Sequence, residues 1–157
     1  MAVEHSTLTT TDLHEPKGVA AAVADQLYIA DGAASGTWTD ADNNIYLFGT
    51  IDDISTAASF WIPSPCTGII SKIHSIINGA IADADAVLTF EIGGVLITDG
   101  SSNNLTITQS GSAAGDVDTM TPTGANTLAI GDKIELITDG GSTNTIISQI
   151  VLTVTPT

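Results

Sequence analysis

The stretch Val87-Leu-Thr-Phe-Glu-Ile-Gly-Gly-Val-Leu-Ile-Thr98 decides the fold class. Leu88, Phe90 and Ile92 point to one side of an extended chain, and Val87, Thr89 and Glu91 point to the other. This is the period-2 pattern of a half-buried strand. Gly93-Gly94 then supplies a tight turn into a second apolar run, Val95 to Thr98.

The same pattern recurs outward from this point. Ile45 to Ile51 and Ser59 to Ile62 read as strands, the second stopped by Pro63-Ser-Pro65. Leu105 to Ile107, Ile134 to Leu136 and a last strand with Ile146, Ile150, Leu152 and Val154 on one face complete the set. Residues Ile69 to Ile77 fit two templates. Positions 69, 73, 76 and 77 make a helical face, whereas Ile69, Ile73 and Ile77 also share one face of a strand. Flanking Gly68 and Asn78-Gly79, with five isoleucines in nine residues, favour the strand. Roughly eight strands in about 110 residues is the spacing of a β-sandwich or jelly roll. The expected fold is therefore all-β, a β-sandwich or jelly-roll-like domain over residues 45–157. Leu96-Ile-Thr-Asp-Gly100 and Leu136-Ile-Thr-Asp-Gly140 look alike, but their flanks differ, so two hairpins closed by the same turn chemistry are expected rather than a duplication.

Residues 1–44 read differently, as an arm preceding that domain. Ser6 to Asp12 is Thr-rich and extended, Pro16 can open one or two helical turns over Val19 to Ala24, and Gln26 to Ala30 with Thr37 to Thr39 reads as a small hairpin. An arm with so little core-forming pattern has to order against something else, a neighbouring subunit or another protein. Its apolar anchors would be Leu13, Val19, Leu27, Tyr28 and Trp38.

Charge removes several functions. The chain has 157 residues with 18 acidic side chains against 3 lysines and no arginine, a formal net charge of −15. Nucleic-acid binding depends on cations that neutralise phosphates, and here only Lys17, Lys72 and Lys133 are available. Anionic membrane surfaces repel such a chain, and no apolar run approaches the roughly 18 residues of a membrane span. Disorder is excluded as well, because 43% of residues are hydrophobic and only 13% are charged. The single Cys66 allows no internal disulfide. The N-terminus lacks the basic and apolar regions of a signal peptide, so synthesis in a cytoplasm without export is expected.

Catalytic constellations do not emerge. His5, His14 and His74 have no metal-ligand spacing, and neither Gly-x-Ser-x-Gly nor a phosphate loop with Lys occurs. Asp40-x-Asp42-x-Asn44 matches the first half of a calcium loop, but the sixth position is Ile45 and the twelfth is Ile51, where Gly and Glu are needed. A looser Ca²⁺ site could use these three, Asp52 with Asp53, or Asp83 with Asp85; turn chemistry accounts for all of them. No cofactor and no enzymatic activity are expected.

The arm segment Asp12-Leu-His-Glu-Pro-Lys-Gly-Val19, followed by Asp25-Gln-Leu-Tyr-Ile-Ala-Asp-Gly-Ala-Ala-Ser-Gly-Thr-Trp38, resembles a segment near the N-termini of tailed-bacteriophage head-fibre and capsid-decoration (cement) proteins. Gly68-Ile-Ile-Ser-Lys-Ile73, Gly111-Ser-Ala-Ala-Gly-Asp-Val117 and Ile130-Gly-Asp-Lys-Ile-Glu135 resemble the β domain of the same proteins. The resemblance implies a virion protein on the outside of an icosahedral head, commonly a homotrimer, with the major capsid protein as partner. Attachment would fall to Leu13, His14, Glu15, Pro16, Lys17, Val19, Leu27, Tyr28 and Trp38, with Lys17 facing an acidic capsid group. Those proteins include long fibres, and the absence of a fibrous extension after Thr157 favours a short cement-type protein. The competing expectation is a carbohydrate- or receptor-binding β-sandwich of a head or tail appendage, with Trp61 as an aromatic platform.

Overall fold

The computed structural model describes residues 26–30, 36–41 and 43–157, and every regular element among them is a β-strand. The chain divides into two units after Asn43. The first contains an antiparallel hairpin of β1 (Gln26–Ala30) and β2 (Gly36–Asp40). Tyr28 lies opposite Trp38, with ring centroids 5.2 Å apart and planes tilted by 58°. This is a favourable aromatic pair, and it holds the register of a two-stranded ribbon that is marginal by itself.

The second unit contains β3 (Ile45–Ile51), β4 (Ala58–Pro63), β5 (Gly68–Ile77), β6 (Ala86–Ile92), β7 (Val95–Leu96), β8 (Leu105–Ile107), β9 (Val117–Met120), β10 (Thr127–Leu128), β11 (Lys133–Thr138) and β12 (Ser148–Pro156). They form two antiparallel sheets. One runs β3-β12-β5, with β9 and β10 sharing the far side of β5. The other runs β4-β11-β6, with β7 and β8 sharing the far side of β6. When each split edge is counted as one position, the order is that of a jelly roll, in which successive strands cross between the sheets at every step except from β6 to β7 and β8, and the first lies beside the last.

The inner faces supply the core. Ile51, Ile73, Ile77, Ile150, Leu152 and Val154 from the first sheet meet Leu88, Phe90, Ile134 and Leu136 from the second, all of them buried. Burial of each such side chain is worth about 1.5–3 kcal/mol, which is how a chain poor in aromatics holds two sheets together. Among the described residues, Phe90 is the only aromatic side chain wholly inside.

The predicted strand at 69–77 is present, with a different facing at its start. Ile73 and Ile77 point inward, but Ile69 is exposed and Ile70 takes the core position. The cause is a β-bulge: Thr153 pairs with Lys72 and Val154 with Ile70, so Ser71 is an extra residue that reverses the alternation. Ser71 Oγ donates to the carbonyl of Thr153 at 3.2 Å. The expected pair of hairpins is also corrected. Asp99 and Asp139 do close their strands in the same way, accepting bonds from the N–H of Ser101 and of Gly141. Neither turn makes a hairpin, because β8 pairs with β6 and β12 lies in the other sheet. Strands β9 and β10 were not foreseen.

Carboxylates are put to structural use throughout this unit. In Ala113-Ala-Gly-Asp116 and Ala129-Ile-Gly-Asp132 the same turn is built twice, with Asp N–H bonded to the Ala carbonyl and the Asp carboxylate accepting the Ala N–H at 2.6 and 2.8 Å. Gly115 and Gly131 hold the left-handed φ (91° and 86°) that such a turn requires.

Candidate interaction surface

Strand register determines which side chains reach the outside of each sheet. Across the β3-β12-β5-β9 sheet, one outward row is Phe48, Val151, His74 and Thr119. On one side of it lies the row that includes Tyr46, Thr153 and Lys72, and on the other the row of Thr50, Gln149, Ile76 and Val117. Phe48 is 71% exposed and Val117 is 55% exposed, and both Tyr46 and Ile76 are open to solvent. The rows are tied laterally by hydrogen bonds, Thr50 Oγ1 to Gln149 Oε1 at 3.0 Å and His74 Nδ1 with Thr119 Oγ1 at 2.9 Å.

This face carries no carboxylate. The only acid in the five strands of its sheet is Asp118, which is in register with the buried Ser75 and belongs to the inner side. Burial pushes its carboxyl up, and the neighbouring Asp116 charge adds to that. The other sheet is the reverse. Its outer face bears Glu91 and Glu135 directly opposite one another, with Trp61 next to Glu135 on β4 and Leu96 next to Glu91 on β7.

Along one flank of the sandwich the edge strands β3 and β4 leave a groove of about 460 Å³, lined by Phe48, Gly49, Phe60, Trp61 and Leu136 among others. Trp61 is 61% exposed. Gly49 sets the depth of the groove, since a Cβ there would come within 2.6 Å of Ile62 Cδ1 and 3.1 Å of Leu136 Cδ2. Four of the five aromatic residues of this unit, Tyr46, Phe48, Phe60 and Trp61, lie on these two strands. In a chain with so few aromatic rings, this flank gathers most of those in the unit, with Phe60 packed against the core.

Of the acids considered as calcium ligands, Asp53 is engaged in a turn, and Asp83 and Asp85 bond to more distant parts of the chain. Asp53 accepts bonds from the N–H and hydroxyl of Ser55 and from the Thr56 hydroxyl, which hold its carboxyl below the usual range. Asp85 accepts the Gln109 N–H at 2.7 Å, and Asp83 bonds the Thr143 hydroxyl. Asn44 Oδ1 accepts from Thr155 Oγ1 at 2.9 Å. Among the described residues no group of three or more His, Cys, Asp or Glu side chains could hold a metal ion.

Of the expected attachment residues, Leu13, His14, Glu15, Pro16, Lys17 and Val19 lie outside the described residues, as does Asp42. Leu27, Tyr28 and Trp38 lie on the β1-β2 hairpin, with Leu27 exposed, and the backbone of Asp40 pairs with Gln26. The carboxylate-free face was missed by sequence reading. Its only trace in the sequence is the lack of acids in 45–51, 68–77 and 148–156 of an otherwise acid-rich chain.

No family model matches the chain, and no curated protein matches it. Among solved structures it is similar to the cyanophage Pam1 capsid asymmetric unit, with a TM-score of 0.40 and 12% identity, over 73% of this chain and 86% of that one. At that distance the likeness does not bear on function.

Proposed function

We propose that this chain is a non-catalytic structural protein of a tailed-phage virion, one that decorates the outer surface of the head and stabilises the shell. Residues 1–44 attach it to the major capsid protein, and the jelly roll forms the outer body. The observation that carries this reading is the division of the jelly roll into one carboxylate-free, partly apolar face and an acidic remainder. Such a division suits a protein that assembles with neighbours while presenting negative charge elsewhere. Three further points support it: the resemblance of the arm to decoration proteins, the use of the turn acids as caps, and the recurrence of jelly rolls in viral capsid domains, the last being an analogy of fold only. An acidic exterior also fits the outside of a shell better than its genome-facing side, where DNA would repel it.

The direct test is co-sedimentation of purified protein with heads that lack it, followed by heating. Bound heads that withstand a higher temperature than bare heads are expected. Heads that neither bind the protein nor gain resistance would sink the reading.

The groove favours a second reading, in which Trp61 and Phe48 hold a neutral sugar ring at the β3-β4 flank. Binding to host-surface polysaccharide that disappears in Trp61→Ala is the expected sign of that role, and no binding by the unaltered protein disposes of it.

A further inference from the structure

We infer that the flank opposite the β3-β4 groove holds a calcium site, built from the carboxylates of Asp116 and Asp118 and completed by the neutral oxygens around them. The site stands or falls independently of head decoration.

On that flank the segment 108–116 carries the chain from β8 in one sheet to β9 in the other. A cavity of about 270 Å³ opens there, lined by Ile77, Thr108, Ser110, Asp116 and Asp118 among others. Among the residues lining it, none brings a side-chain nitrogen or sulfur. The donors it offers are all oxygen.

The position of Asp118 is what packing does not explain. The turn Ala113–Asp116 has its twin in Ala129–Asp132, and two residues beyond Asp132 stands Ile134, wholly buried. Two residues beyond Asp116, at the same place after the turn, stands Asp118 on the inner side of its sheet. Its carboxylate accepts no hydrogen bond from another described residue, and the charge of Asp116 acts against it. Directly across the β5-β9 pair, on the same inner side, Ser75 is wholly buried and its hydroxyl finds no partner among the described residues. Ser75 and Ile77 on β5, with Asp118 and Asp116 opposite them, make one four-residue patch. Three of the four line the cavity, and Ser75 is the inner corner behind Asp118. An acid that weakens the fold and an unpaired buried hydroxyl beside it are two separate signs that an ion belongs between them.

The surrounding segment is held in place by its own bonds. Gln109 N–H donates to Asp85 at 2.7 Å, Ser112 Oγ accepts the Ile81 N–H at 3.0 Å, and Gly115 N–H donates to the Ile77 carbonyl at 2.8 Å. Asp116 uses one oxygen, Oδ2, to accept the Ala113 N–H and keeps Oδ1 for a ligand. Asp118 offers both of its oxygens, and the Thr108 and Ser110 hydroxyls bond no other described residue. Ca²⁺ takes about six to eight such oxygens in a tolerant geometry, whereas Mg²⁺ demands a near-ideal octahedron and transition metals favour nitrogen or sulfur. With only two carboxylates the affinity belongs at the weak end of the calcium range, a Kd of about 0.1–1 mM.

Equilibrium dialysis of the full chain against calcium chloride at constant ionic strength tests this, with thermal unfolding in parallel. One calcium per chain is expected, with the thermal midpoint raised by roughly 5 °C at about 10 mM Ca²⁺ and by much less at equal Mg²⁺. Asp118→Asn should lose affinity by about tenfold or more with unchanged circular dichroism. Asp116→Asn, whose amide oxygen can still accept the Ala113 N–H, should do the same. Asp132→Asn, in the twin turn, should bind calcium as the unaltered protein does. No saturable binding up to about 10 mM, or magnesium acting as strongly as calcium, overturns the site. So does binding that survives both Asp118→Asn and Asp116→Asn, or that falls equally in Asp132→Asn, which would mark a general effect of negative charge.

Discussion

Glu91 and Glu135 face each other across the β6-β11 pair, two carboxylates at directly opposed positions on an exposed sheet surface. Like charges placed so destabilise a sheet. Glu135→Lys converts the repulsion to attraction and should raise unfolding stability by about 0.5–1 kcal/mol, read as a higher denaturant midpoint at unchanged slope. The gain should shrink at high salt, and a variant no more stable than the parent at low salt would contradict the assignment of register.

Asp118 is expected to weaken the fold when charged. Burial, then the Asp116 charge, raises its folded-state pKa above the unfolded value. Its contribution is fully present below the unfolded pKa and is lost as pH rises through the folded one. Asp118→Asn should therefore raise the thermal midpoint at neutral pH, with the advantage fading in acid. A benefit that is constant with pH would point to some other cause.

Asp99 and Asp53 carry the opposite sign. The N–H groups of Asn103 and then Ser101 lower the Asp99 pKa, and the Ser55 hydroxyl followed by its N–H lowers that of Asp53. The stability each provides is present above the unfolded value, near 3.9, and is lost as pH falls through the folded one. Relative to the parent, Asp99→Asn should be less stable at pH 6, with the difference closing by pH 2. Paired thermal scans across that range read this directly.

Ser75 and Ser148 are wholly buried, and neither hydroxyl finds a hydrogen-bond partner among the described residues. A buried unpaired hydroxyl costs about 1–3 kcal/mol, more than the small cavity left by its removal. Ser148→Ala and Ser75→Ala should each stabilise the domain by about 1 kcal/mol in denaturant titration. Destabilisation in both would show that the hydroxyls are satisfied.

Self-association should strengthen as sodium chloride rises from about 50 to about 500 mM, because screening relieves repulsion between chains of −15 each. Sedimentation at a fixed protein concentration checks this, and dissociation at high salt would mean that ion pairs dominate the interface.

What could be read from the sequence was local. In β6 the alternation of Leu88 and Phe90 with Val87 and Thr89 appears unaltered as burial, because period 2 holds wherever the strand is regular. At Ser71 one extra residue reverses the phase, and nothing in Ile69-Ile-Ser-Lys-Ile73 announces it, so Ile69 and Ile70 exchange roles. Val117-Asp-Thr-Met120 is too short and too mixed in polarity to stand out as a strand. The carboxylate-free face could not be assembled in advance, since Phe48, His74, Thr119 and Val151 become neighbours only through the pairing of four separate strands.

Strand β12, formed by Ser148–Pro156, sits between β3 and β5 in the middle of its sheet. During translation, β3 leaves the ribosome about a hundred residues, and β5 about seventy, before the segment that joins them. Until it emerges, their inner isoleucines have no sheet to complete, and a crowd of nascent chains exposes sticky, half-paired edges. Folding of this unit thus waits for β12, is dominated by contacts between distant parts of the chain and is correspondingly slow. The repulsion among acidic nascent chains keeps them apart during that wait.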